Sequence, residues 1–188
     1  MANRRPNRPI KILLWNSNGI RREQLEFAQL LKHKKIDIAL ISEAKLSTNA
    51  HFHISGYNSY WNQGPTPQID GTAVILKNNI QHTQTSINGI TNIQNTAITI
   101  YTINQPITVG AIYISPRTNL TSQELDNLTQ HSQSFIFGGD FNAKHTTWNS
   151  RTNNKKGKKL ASHAEHSKLR PQPSAHRIRH QPTQNTLR

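Results

Sequence analysis

The sequence predicts an α/β fold in which strands deliver polar residues at their carboxyl ends. Three observations predict it. Strand, helix and strand follow one another between residues 10 and 42, the order of a βαβ unit. Residues 96–103 and 107–113 alternate or run apolar, and Asn104-Gln-Pro106 joins them as a β-hairpin. Residues 134–137 form an apolar strand that ends in Gly138-Gly-Asp-Phe-Asn142, where glycine lets the backbone approach a ligand closely.

The elements follow in order. Residues 1–9 are rich in Pro and Arg and predict no structure. The apolar run at residues 10–15 stops at Asn16-Ser-Asn-Gly19, a strand ending in turn residues. Leu25, Ala28, Leu30 and Leu31 have helical spacing within residues 23–33. Residues 37–42 form a buried strand that ends on Glu43. A loop-rich stretch, 44–70, holds one short strand marked by Tyr57, Tyr60 and Trp61. Residues 71–77 are a strand entered from Gly71. Residues 122–131 predict a helix with Glu124 in its first turn and Leu125 and Leu128 on its apolar face. A further helix over 157–169 would use Leu160, Ala161 and Ala164, and beyond Arg170 there is no periodicity. The organisation expected is a basic N-terminus (1–9), a folded domain (10–150) and a basic, largely disordered tail (151–188) with one helix.

Composition supports that division. Hydrophobic content is 33%, low for a full core, and the apolar residues concentrate before residue 142. The net charge is +14; ten basic residues against one acid give residues 151–188 +9 of it. Such a surface attracts polyanions, chiefly nucleic acid, in a salt-dependent manner. The absence of cysteine excludes disulfides and thiolate metal sites. No apolar run approaches the roughly 18 residues that cross a bilayer, and the start lacks a secretory apolar stretch. The expectation is an intracellular chain, nuclear or cytoplasmic, with no membrane partner and no small-molecule cofactor; oligomeric state is not legible.

Strand ends supply chemistry repeatedly. They carry Asn16 with Asn18, then Glu43, then Tyr113, then Asp140 with Asn142. Carboxylates at the carboxyl ends of strands are hard oxygen ligands for a divalent cation, and amides can donate to phosphate. The same Gly/Asp/Asn cluster is also ordinary turn chemistry.

The chain resembles the endonuclease/exonuclease/phosphatase superfamily. The resemblance rests on Trp15-Asn-Ser-Asn-Gly-Ile20, Ile41-Ser-Glu-Ala-Lys-Leu46, Gly71-Thr-Ala-Val74, Tyr113-Ile-Ser-Pro116 and Gly138-Gly-Asp-Phe-Asn-Ala-Lys-His-Thr-Thr-Trp148, in that order, over residues 10–150. The wording is most similar to endonuclease domains of non-LTR retrotransposons, in particular jockey-like elements. The resemblance implies a two-sheet α/β sandwich with helices outside, and Mg²⁺- or Mn²⁺-dependent cleavage of double-stranded DNA, nicking a target to prime reverse transcription. By the same resemblance, Glu43 and Asn16 serve the metal, and Asp140, Asn142 and Tyr113 serve catalysis. Asn18 and His145 are assigned to substrate contact. Trp148 matches the retrotransposon form of the loop.

The family's last two motifs require further aspartates, and no aspartate follows Asp140. His163, His166, His176 and His180 lack the carboxylate arrangement that would replace them. The expectation is a copy truncated or frame-shifted at its carboxyl end, with an incomplete second sheet, marginal stability and weak or no activity. Other readings are a non-catalytic nucleic-acid-binding remnant and another phosphoesterase of the same superfamily.

Overall fold

The computed structural model describes residues 9–65, 70–167, 169 and 171. The expected disorder of residues 1–8 and of the tail from 172 lies outside them. Among the described residues, eight strands form two four-stranded sheets. The first sheet contains β1 (Ile12–Asn16), β2 (Ile38–Ser42), β3 (Tyr57–Asn62) and β4 (Thr72–Lys77) in the order β1-β2-β4-β3. The second contains β5 (His82–Thr85), β6 (Gln94–Tyr101), β7 (Pro106–Tyr113) and β8 (Phe135–Asp140) in the order β5-β6-β7-β8. β1 and β2 pair in parallel, as do β7 and β8; the other pairings are antiparallel.

The sheets face each other across Ile38, Leu40, Val74, Leu76, Ile98, Ile100, Val109 and Ala111. Strand alternation explains the layering: β2 and β4 are buried on both faces, so they read as continuous apolar runs. Ala39, Ile41, Ala73 and Ile75 point the other way, onto Phe27 and Leu31 of helix α1 (Gln24–His33). Ala97 and Ile112 of the second sheet, with Phe137 beside them, pack on Leu125 and Leu128 of α2 (Ser122–Gln130) and on Leu160 of α3 (Lys155–His166). The result is a four-layer α/β sandwich.

Several boundaries differ from expectation. β8 continues to Asp140 and carries the Gly-Gly pair within the strand. The first helix is preceded by a 3₁₀ turn, Ile20–Glu23. β5 was not foreseen, because its His-Thr-Gln-Thr sequence is an exposed edge with no apolar signal. α3 begins at Lys155 because the Asn154 side chain accepts from the Gly157 N–H and caps the helix there. No described helix is long and apolar enough to cross a membrane.

Candidate active site

The parallel pairs set the site. β1 and β2 end side by side at Asn16 and Ser42, and β7 and β8 end side by side at Tyr113 and Asp140. Because the sheets are stacked, these four ends meet at one edge of the sandwich. A buried hydroxyl joins them. Ser42, fully buried, donates to the Ile112 carbonyl at 2.8 Å and accepts from the Asp140 N–H at 2.9 Å. It thereby ties the residue before Glu43 to the backbone of Asp140, across the two sheets. Gly139 makes the approach possible: a Cβ there would lie 1.9 Å from the Ile112 carbonyl oxygen, and its φ is +149°.

Asn16 bridges the two carboxylates. Its amide nitrogen donates to Glu43 Oε1 at 2.8 Å and to Asp140 Oδ2 at 3.0 Å, while its Oδ1 accepts from the Asn18 N–H at 3.3 Å. Tyr113 completes the group. Burial, and then the neighbouring charges of Glu43, Asp70 and Asp140, push its phenol up to about 12, and it hydrogen-bonds Glu43. It therefore stays protonated and able to donate through neutral and mildly alkaline pH. Asp70 is an acid that the sequence reading passed over, because a carboxylate in a loop gives no periodic signal.

Asn142 adjoins this group. Its N–H donates to Asp140 Oδ1 at 2.9 Å and its side-chain amide donates to the Ile114 carbonyl at 3.0 Å. Asn18 accepts from the Lys45 ammonium, which also lies 4.0 Å from Glu43 Oε2. His145 stands further along the loop, bonded to Thr147 and in ring contact with Trp148 at 5.1 Å. Among the described residues, no hydrogen bond joins it to the carboxylates.

Backbone strain concentrates here. Asn18, Glu43, Lys45 and Asn142 all have φ between 46° and 52°, and among described non-glycine residues only Lys35 and Asn149 also have a positive φ. Left-handed residues cost free energy and tend to persist where function demands a geometry. The donor set of two carboxylates, carboxamides and a phenol is all hard oxygen with amide donors, which fits a hard divalent cation. No described group gathers three or more His, Cys, Asp or Glu around one point, so such a cation would rest on few protein charges.

Comparison with known proteins agrees with this fold. The model of the endonuclease-reverse transcriptase family matches residues 107–187, so the likeness extends past Ser150, through α3 and into the basic tail. The chain is 30% identical over 157 residues to a probable RNA-directed DNA polymerase from transposon BS of Drosophila melanogaster, covering 81% of this chain and 17% of the relative. It is 30% identical over 141 residues to the RNA-directed DNA polymerase from mobile element jockey of Drosophila funebris, covering 74% and 15%. The chain thus spans less than a fifth of these relatives. Among solved structures, the endonuclease domain of TRAS1, a telomere-specific non-LTR retrotransposon, superposes with a TM-score of 0.67 at 22% identity, covering 84% of this chain and 70% of that one. The catalytic domain of Xenopus laevis APE2 superposes at 0.60 with 19% identity, covering 81% and 67%. The chain belongs to the endonuclease/exonuclease/phosphatase superfamily, as a domain of the non-LTR retrotransposon endonuclease kind.

Proposed function

We propose that this chain is the DNA-nicking part of a non-LTR retrotransposon protein, hydrolysing a phosphodiester of double-stranded DNA with Mg²⁺ or Mn²⁺. The observation that supports it best is the amide of Asn16 held between Glu43 and Asp140, with the protonated Tyr113 beside them. A bound divalent cation would be held by Glu43 and would neutralise negative charge developing on the phosphate. Tyr113 and Asn142 offer donors to phosphate oxygens without adding negative charge. Asp140 is the base within reach of an attacking water, and Asn16 fixes its orientation. Lys45 and Lys144 place cations on the loops that follow β2 and β8, where a duplex backbone would pass.

No described histidine bonds to Asp140, so we expect slow turnover from these 188 residues; a missing acid/base costs about 10²–10⁴ in rate. A supercoiled-plasmid assay at low salt tests the reading. Slow Mg²⁺-dependent conversion to open circles, lost in Glu43→Gln, supports it. Equal conversion in both proteins would refute it.

The concentration of charge in residues 151–188 favours a second reading, non-catalytic binding through the tail. Removal of residues 172–188 separates the two: loss of duplex binding, with no nicking before or after, favours the tail.

A further inference from the structure

We infer that the first turn of α3 is a buckle holding the Asp140 loop against the Tyr113 loop, with Lys156 as its positioning residue. The inference rests on the nuclease reading of Asp140, Asn142 and Tyr113. Neither the sequence motifs nor the likeness to relatives gives α3 a role, yet its first turn touches both loops.

Asn154 joins the turn to the Asp140 loop by three hydrogen bonds and caps the helix with a fourth. Its N–H donates to the Lys144 carbonyl at 2.9 Å. Its side-chain amide donates to the Asn142 carbonyl at 2.8 Å. Its Oδ1 accepts from the N–H of Lys144 at 3.0 Å and from that of Gly157 at 2.7 Å. Gly157 allows the contact, since a Cβ there would fall 1.8 Å from the Lys144 carbonyl oxygen.

Lys156 makes the other half of the buckle. It is 8% exposed, which is unusual for lysine. Its ammonium donates to the carbonyls of Ser115 and Pro116, the latter at 2.9 Å. Those residues stand two and three positions after Tyr113. Burial lowers the lysine below its usual range, and the charge of Asp140 opposes that fall. A buried ammonium is costly unless satisfied, and two backbone carbonyls on one loop satisfy it only while that loop keeps its place. Tyr113 and Asn142 are therefore spaced by one rigid helical turn. The further bond from Asn142 to the Ile114 carbonyl closes the circuit.

The test compares wild type with Lys156→Met, Lys156→Gln and Lys158→Met, the last removing an exposed charge from the same helix. Hydrogen exchange and steady-state plasmid nicking are read on the 188-residue chain. The buckle predicts at least about tenfold faster exchange at Thr118, Asn142, Lys144 and Gly157 in Lys156→Met, with Val109 and Ala111 of β7 unchanged. It predicts kcat lower by about 10–100-fold with KM within about twofold. Lys156→Gln, which keeps a donor, recovers part of both, and Lys158→Met keeps both within about twofold. Unchanged exchange in Lys156→Met would overturn the inference. So would faster exchange with intact kcat, a loss confined to KM, or loss of protection throughout β7. If the wild type makes no nick at all, the nuclease reading fails, and exchange alone decides the buckle.

Discussion

At the residue scale, the account turns on a few polar atoms with no spare room. Ser42 satisfies the Asp140 N–H and the Ile112 carbonyl inside the sandwich. Its replacement by Ala leaves both without that partner, and a buried unsatisfied group costs about 1–3 kcal/mol. Urea denaturation of Ser42→Ala should show a loss of that size, together with weaker divalent-cation binding as Glu43 and Asp140 lose their mutual register. Gly139→Ala should be worse, because its methyl would collide with a backbone carbonyl that no rotamer can move away. Thermal melts of Gly139→Ala and Gly138→Ala side by side check the reason. At Gly138 the nearest atoms belong to the leucine side chains Leu14 and Leu40, which can shift.

At the element scale, capping decides where helices begin and loops close. Glu124 forms a capping box with Thr121 and also accepts from the N–H groups of Thr91 and Asn92, which ties the loop before β6 to α2. Burial alone would raise its carboxyl, but these hydrogen bonds, from Asn92 and Thr121 above all, bring it down to about 2 from 4.5. A lowered folded-state value stabilises the fold above the unfolded value. The stabilisation of up to roughly 3 kcal/mol is present above pH 5 and fades as pH falls toward 2. Melts between pH 2 and 7 should show a slope in wild type that Glu124→Gln flattens. The sequence made α2 and its acidic first turn legible, since the box is a local signal. The strand ends were legible for the same reason: each is an apolar run that stops on Asn16, Glu43, Tyr113 or Asp140. The role of Asn154, Lys156 and Gly157 was not. Their partners lie on two loops reached only in the folded chain, and on sequence alone they look like one more basic stretch.

At the scale of the whole molecule, two sheets are stacked so that parallel strand ends from each converge. The sequence reading expected that convergence because polar residues recur at several strand ends. It could not give sheet order, which depends on long-range pairing. β1 and β8 lie over one another at the same side of the sandwich, and among described residues neither has a partner on its outer edge. Leu14 and Ile136, each 44% exposed, line that side. Unpaired edges with apolar side chains promote association, so sedimentation should show mass rising with protein concentration, and Ile136→Lys should suppress the rise. The central claim is that the strand ends gather one divalent cation at Glu43, beside Asn16 and Asp140. Titration of the chain with Mn²⁺, followed by paramagnetic broadening of its amide resonances, tests it most directly. The account predicts that Asn16, Glu43, Tyr113 and Asp140 broaden first and together, and that Glu43→Gln abolishes the effect at the same metal concentration. First broadening at His163 and His166 on α3, with the strand ends unaffected, would contradict it.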